Sequence, residues 1–154
     1  MPAARAPSGG GSSSGGSSPS GNSGSSGTPL ARKLGIHAGD VVALVGAPRD
    51  FDLPDLPDGV RVRRSLASGV DVVIAFVRRA SQLPDVVARV AGGLDPGSAL
   101  WLCWPRRAAG HNSDITDDVL RHVALPTGLV DVKVAAVGED WSGLRFVWRT
   151  TRRV

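Results

Sequence analysis

Five arginines stand directly or shortly after three apolar segments of the sequence. They are Arg49, Arg78, Arg79, Arg106 and Arg107. A guanidinium group donates paired hydrogen bonds in a planar fork, and this geometry suits phosphate and carboxylate groups. The chemistry that these residues indicate is therefore the binding of an anion.

A second polar set lies near the C-terminus, at Asp140, Trp141 and Ser142. The indole of Trp141 offers a flat face on which a base or ring can stack, and Ser142 is a neutral donor. Two interpretations stay open for these residues. In the first they form one binding site with the arginines, and in the second they belong to a solvated rim. In that rim Asp140 forms a structural ion pair with Arg106 or Arg107, and Trp141 only plugs the sheet edge.

The other reactive side chains form no catalytic set. Cys103 lies inside an apolar run, which favours a buried, inert thiol over a nucleophile. His111 is followed by residues that do not make a recognisable set of metal ligands. The sequence thus predicts no catalytic residue, no metal and no cofactor. Whether the protein is an enzyme stays open, and a binding role without catalysis is favoured.

The elements that carry these residues follow from the hydrophobic pattern. The runs at 40–45, 71–77 and 99–104 are continuously apolar, as is typical of strands buried on both faces. Further strands are predicted at 60–66, 130–137 and 144–149, and helices at 29–34, at 81–90 with Ser81 as its cap, and after Asp114 or Thr116. Buried strands that alternate with helices predict a mostly parallel sheet, and the last two strands, joined by the loop 138–143, predict an antiparallel hairpin.

The loops that follow parallel strands meet at one edge of a sheet, where ligands bind in this class of fold. The arginines and the segment after residue 137 all fall at this edge. We therefore expect Arg106, Arg107 and Trp141 to lie close in space and to face one crevice.

Residues 1–27 and 28–154 differ in composition. Every residue from Ser8 to Gly27 is Ser, Gly, Pro or Asn, so the first segment has no apolar surface to offset the entropy of ordering. We predict a disordered tail at 1–27 and a single domain at 28–154.

Net charge indicates which kinds of partner the protein can bind, and cysteine content indicates the cellular compartment. The formal net charge is +4, which permits an anionic partner and makes nucleic acid an unfavoured one. The chain contains one cysteine and no apolar run long enough to span a bilayer. We therefore expect a soluble, cytoplasmic protein with no membrane partner.

Segments of the chain resemble a family of bacterial proteins. They are TPLARKLGIHAGDVVALVGAP, ALWLCWPRRAAG, DITDDVLRHVALPTGLVDVKVAAV and EDWSGLRFV. The similar family is number 3052 of the domains of unknown function, common in actinobacteria. Its most specific pieces here are 104–107, where the family usually has lysines in place of the two arginines, and 140–143. The resemblance implies kinship and no particular activity.

The order of the elements also resembles the class I methyltransferase core. This resemblance implies a three-layer α/β sandwich with a reduced Rossmann-like sheet of about six strands, in the order 2-1-3-4-6-5 and with a C-terminal antiparallel hairpin. A methyltransferase of this fold needs a glycine-rich loop after strand 1 and a carboxylate at the end of strand 2. Here strand 1 is followed by Gly46-Ala47-Pro48, and strand 2 ends in two arginines and a serine. We therefore predict that S-adenosylmethionine binds weakly or not at all.

The leading interpretation is a ligand- or partner-binding domain whose site is an arginine-rich edge. The predicted site residues are Arg106, Arg107, Trp141, Asp140, Ser142, Arg78 and Arg49. The partner would be a small anionic ligand or a protein. Two alternatives remain: a degenerate or atypical S-adenosylmethionine-dependent methyltransferase, and a weak nucleic-acid-binding or structural interaction protein.

Overall fold

Residues 29–66 and 68–149 are described by a computed structural model of the protein. The strands are β1 (Val41–Val45), β2 (Arg61–Arg63), β3 (Val72–Phe76), β4 (Ala99–Pro105), β5 (Leu129–Val137) and β6 (Trp141–Trp148). The α-helices are α1 (Leu30–Lys33), α2 (Leu83–Gly93) and α3 (Asp117–Ala124). The predicted tail at 1–27 lies outside the described residues. No helix in the described part of the chain combines the length and the apolar character that a membrane crossing requires.

The strands form one six-stranded sheet in the order β2-β1-β3-β4-β6-β5. β1 to β4 pair in parallel, whereas β6 is antiparallel to both of its neighbours, β4 and β5. This is the order that the resemblance to methyltransferases implied. The predicted fold class is therefore confirmed: an α/β fold with a mostly parallel sheet and a C-terminal antiparallel hairpin.

The two faces of the sheet are covered unequally. On one face, α2 and α3 bury Leu83, Val87 and Leu120 against the sheet. The opposite face is covered by the single turn of α1 and by the irregular segment between β1 and β2, which contributes the buried Leu53. The largest side chain of that second core is Trp101 of β4, which is fully buried.

The last strand begins earlier than the sequence pattern predicts. β6 was expected to start at residue 144, but it starts at Trp141, which pairs with Pro105 of β4 and Val137 of β5. The connection from β5 is therefore a short turn, in which Gly138 takes a φ of +75°. Trp141 and Ser142 are thus strand residues, and successive strand side chains point to opposite faces of the sheet.

The start of α2 also differs from its prediction. Ser81 makes no capping bond, because it lies inside a 3₁₀ turn at Ala80–Gln82 that precedes the helix. The side chain of Gln82 accepts hydrogen bonds from the backbone N–H groups of Arg78 and Arg79 at 3.0 and 3.1 Å. Asp114 accepts one from the N–H of Ala80 at 2.8 Å. Asp114 is therefore not the cap of α3, where Thr116 accepts from Val119 at 3.2 Å.

Candidate functional site

The ends of β3 and β4 and the loop after β4 border an open cleft of about 790 Å³, which we call the arginine cleft. It is lined by Arg78, Arg79, Arg107, Gly110, His111, Asn112, Ser113 and Asp114. The loop is shaped by Gly110, whose φ of +92° turns the chain after a short 3₁₀ helix at Arg107–Ala109. The bond from Ala80 to Asp114 then ties the far end of the loop to the 3₁₀ turn that precedes α2. Two neighbouring strand ends thus bring three arginines to one cleft.

The charges of the arginine cleft are unbalanced. Among the described residues, no ion pair involves Arg78, Arg79 or Arg107. The nearby backbone donors already have protein partners, because Gln82 and Asp114 accept from them. The guanidinium groups are therefore the charged donors that this cleft offers to a ligand. That of Arg107 is held in part by a 3.3 Å hydrogen bond from Nη2 to the carbonyl oxygen of Ser113.

A second cleft of about 440 Å³ adjoins the first on the side of α1, and we call it the aromatic cleft. It is lined by Pro48, Asp50, Arg78, Pro105, His111, Asn112, Asp140 and Trp141. The guanidinium carbon of Arg78 lies 5.3 Å from the centroid of the Trp141 ring, which is within cation–π range. The indole is supported from below by Phe76, whose ring meets it edge to face at 4.9 Å. Arg78, His111 and Asn112 line both clefts.

Arg106 and Ser142 are not part of either cleft. They lie in a separate recess of about 310 Å³, which shares Arg107 with the arginine cleft and lies on the face of the sheet opposite Trp141. Trp141 and Ser142 separate because they are successive strand residues. The backbones of β4 and β6 do come together, since the N–H of Arg106 donates to the carbonyl oxygen of Asp140 at 2.9 Å. The side chains of Arg106, Arg107 and Trp141, however, do not face one crevice.

Asp140 does not form the predicted ion pair with Arg106 or Arg107. Its Oδ1 lies 3.0 Å from Nε2 of His111, on the rim between the two clefts. The side chain of Arg106 instead donates from Nη1 to the carbonyl oxygen of Glu139 at 3.3 Å. The sequence places His111 at the same edge as Asp140, in the loop after β4, but does not predict that the two side chains are in contact. Arg49, which is exposed, lines none of the three clefts.

Cys103 is buried, as predicted, with 1% of its surface exposed. Burial in the apolar core raises the pKa of its thiol far above the usual range, so the nucleophilic thiolate is disfavoured. The described residues hold no group of three or more histidine, cysteine or acidic side chains arranged to bind a metal ion.

The strand ends where a methyltransferase would bind its cofactor do not fit S-adenosylmethionine. Gly46, after β1, has a φ of +68°, and a Cβ there would lie 3.0 Å from the carbonyl oxygen of Phe76. This glycine is therefore required by the packing of two strands, and Pro48 beyond it has no N–H to donate. At the end of β2, Arg63 is exposed and no carboxylate follows within the next two residues to accept from a ribose hydroxyl.

The fold and this edge define the class of the protein: a Rossmann-like α/β domain with a methyltransferase-type sheet. One similar solved structure is a protein of the NADB-Rossmann superfamily from Streptococcus agalactiae, with 12% sequence identity, a TM-score of 0.50, and an alignment that covers 82% of this chain and 71% of that chain. Another is a SAM-dependent methyltransferase from Aquifex aeolicus, with 11% identity, a TM-score of 0.50, and coverage of 76% of this chain and 86% of that chain. A third is the fibrillarin pre-rRNA processing protein from Methanococcus jannaschii, with 11% identity, a TM-score of 0.50, and coverage of 80% of this chain and 70% of that chain. At these identities the likeness concerns the fold alone.

The chain belongs to the family described as "Protein of unknown function (DUF3052)", which matches residues 31–150. This confirms the family that the sequence resembles. A comparison with curated proteins finds no match.

We expect S-adenosylmethionine to show no saturable binding below about 1 mM in titration calorimetry. After β1, Pro48 has no backbone N–H to donate to the cofactor. At the end of β2, the chain has Arg63 where a methyltransferase has a carboxylate that accepts from the ribose hydroxyls. A dissociation constant in the low micromolar range would contradict this prediction and revive the methyltransferase alternative.

Proposed function

We propose that this protein is a binding domain for a small anionic ligand, which it holds in the arginine cleft. One observation carries the proposal: Arg78, Arg79 and Arg107 line one cleft, and none of them forms an ion pair with the described residues. A role without catalysis is part of this proposal, and the buried thiol of Cys103 is consistent with it. A cytoplasmic location remains part of this proposal.

The electrostatics of the cleft favour an anion with several oxygens. Like charges held near one another repel, and the repulsion is relieved when an anion binds between them. Each guanidinium can donate two parallel hydrogen bonds to a phosphate or carboxylate group. The carboxylate of Asp114, which accepts from the backbone of Ala80, is the one acidic side chain among the described residues that line the cleft, so the three arginines outnumber it. A phosphate-bearing ligand therefore supplies what the cleft lacks.

We expect pyrophosphate to bind the wild-type protein in titration calorimetry at low ionic strength, and Arg78→Ala and Arg107→Ala each to weaken its affinity about tenfold or more. The estimate follows from the roughly 1.5–3 kcal/mol that a hydrogen bond to a charged group contributes. Arg89→Ala is the matched control, because Arg89 is exposed on α2 and lines none of the three clefts. It removes the same charge and should change the affinity little.

Arg106→Ala adds a test of position. If Arg106 belonged to the anion site, as the sequence predicts, this variant would lose affinity about tenfold, whereas its place in the separate recess predicts a smaller loss. If all four variants weaken pyrophosphate equally, net charge alone explains the binding. If none of them does, the arginines are a solvated rim and the proposal fails.

A further inference from the structure

The two clefts share a wall but differ in chemistry. The arginine cleft brings three guanidinium groups together, whereas the aromatic cleft has flat apolar walls formed by Pro48, Pro105 and Trp141. A ligand that fills both clefts needs an anionic part joined to a planar apolar part. Nucleotides have this construction, since their bases stack on aromatic side chains while their phosphates bind basic groups.

Asp50 and Asp140 make the aromatic cleft less favourable for a second anion than the arginine cleft, although Arg78 lines both. Asp50 and Asp140 both line this cleft, and Asp140 is already paired with His111. Within the described residues, the carboxylate of Asp50 takes part in no ion pair. A free carboxylate has only acceptor atoms, so the group that fits beside it carries N–H donors.

We propose that the ligand is a purine nucleoside diphosphate with a guanine base, an inference that rests on the proposed function. Its phosphates occupy the arginine cleft, and its base stacks on Trp141 with its ring N–H and amino group donating to the two oxygens of Asp50. Guanine offers two adjacent donors of this kind, whereas adenine presents an acceptor nitrogen beside its amino group. Asn112, which lines both clefts, supplies an amide with both donor and acceptor atoms.

Arg78 connects the two parts of this site. Its guanidinium lies over the indole of Trp141 and also lines the arginine cleft. A phosphate group therefore competes with the indole for the same cation. When Arg78 turns toward the phosphate, the face of Trp141 becomes accessible to the base, so binding of the two parts is coupled.

The test compares pyrophosphate, guanosine diphosphate and adenosine diphosphate by titration calorimetry on the full chain. We expect guanosine diphosphate to bind at least about tenfold more tightly than pyrophosphate and more tightly than adenosine diphosphate, since stacking and a charged hydrogen bond each add affinity. Asp50→Asn should remove most of the preference for guanosine diphosphate over adenosine diphosphate, and each nucleotide affinity is compared with that of pyrophosphate for the same variant, so that the change in charge is accounted for. Asp52→Asn is the control, because it removes an equal charge from an exposed residue outside the cleft.

The outcomes separate this inference from the proposed function. If pyrophosphate binds and both nucleotides bind no more tightly, the base site is wrong and the anion site stands. Equal binding of the two nucleotides, or an Asp50→Asn variant that keeps the preference, overturns the guanine assignment. If neither pyrophosphate nor a nucleotide binds, the proposed function and this inference both fail.

Discussion

Replacing Trp101 with alanine is expected to lower the free energy of unfolding by about 3–5 kcal/mol. Trp101 is fully buried in β4, between α1 and the sheet. Its Nε1 donates to the carbonyl oxygen of Leu34 at 2.9 Å, at the C-terminal end of α1. The substitution therefore leaves a cavity and an unpaired buried carbonyl together. Urea unfolding followed by circular dichroism measures the loss.

A pair of phenylalanine substitutions separates the hydrogen bond from the cavity. Trp101→Phe and Trp148→Phe each remove one indole N–H bond of 2.9 Å to a carbonyl oxygen, that of Leu34 or Leu94. Trp148 is only partly buried, so water can replace more of what it loses. We expect the cost at Trp101 to be clearly the larger. Equal costs would contradict the expectation that burial makes the Trp101 hydrogen bond the more costly one to lose.

The central strands are readable in the sequence because burial on both faces leaves a continuous apolar run. β1, β3 and β4 lie within one residue of their predicted bounds at each end. The order of all six strands, in contrast, was implied by the resemblance to methyltransferases and not by the residues. Apolar runs show which strands are central, but nothing in them states which strands are neighbours.

The sequence predicts at which edge of the sheet the candidate site residues lie, but not how their side chains are distributed among the clefts there. The rule that loops after parallel strands meet at one edge placed Arg78, Arg79 and Arg107 together, and the three do line one cleft. The partner of Asp140 depends on the path of the loop after β4, which is fixed by a bond between residues 34 positions apart, Ala80 and Asp114. Local sequence patterns carry no information about such a contact.

The sequence pattern places the start of β6 too late, and the true start determines that Trp141 and Ser142 lie on opposite faces of the sheet. Ser142 and Gly143 are typical of turns, so the strand was predicted to begin after them. Both belong to the strand because they pair with β4 and β5, opposite Trp104 and Cys103 in β4. The alternation of strand side chains then sends Trp141 and Ser142 to opposite faces, which no loop assignment would predict.

Gly143 is a strand residue for steric reasons, and Gly143→Ala is expected to lower the free energy of unfolding by about 1–3 kcal/mol. A Cβ at this position would lie 2.6 Å from Cγ2 of Val137 and 3.0 Å from Cε3 of Trp101. Neither neighbour can move freely, since Val137 and Trp101 are both fully buried.

The control for this prediction is Gly92→Ala in α2, where a Cβ would meet nothing within 4 Å. Alanine favours a helix over glycine by about 0.8–1 kcal/mol, so this variant should be more stable than the wild type. The added methyl group is then expected to lower the free energy of unfolding at Gly143 and to raise it at Gly92. The difference reports the close contact of Gly143 with Val137 and Trp101. If Gly143→Ala is neutral or stabilising in urea unfolding, the close packing of β6 on Trp101 is wrong. The placement of Trp141 above Phe76 would then lose its support, because it depends on the same strand.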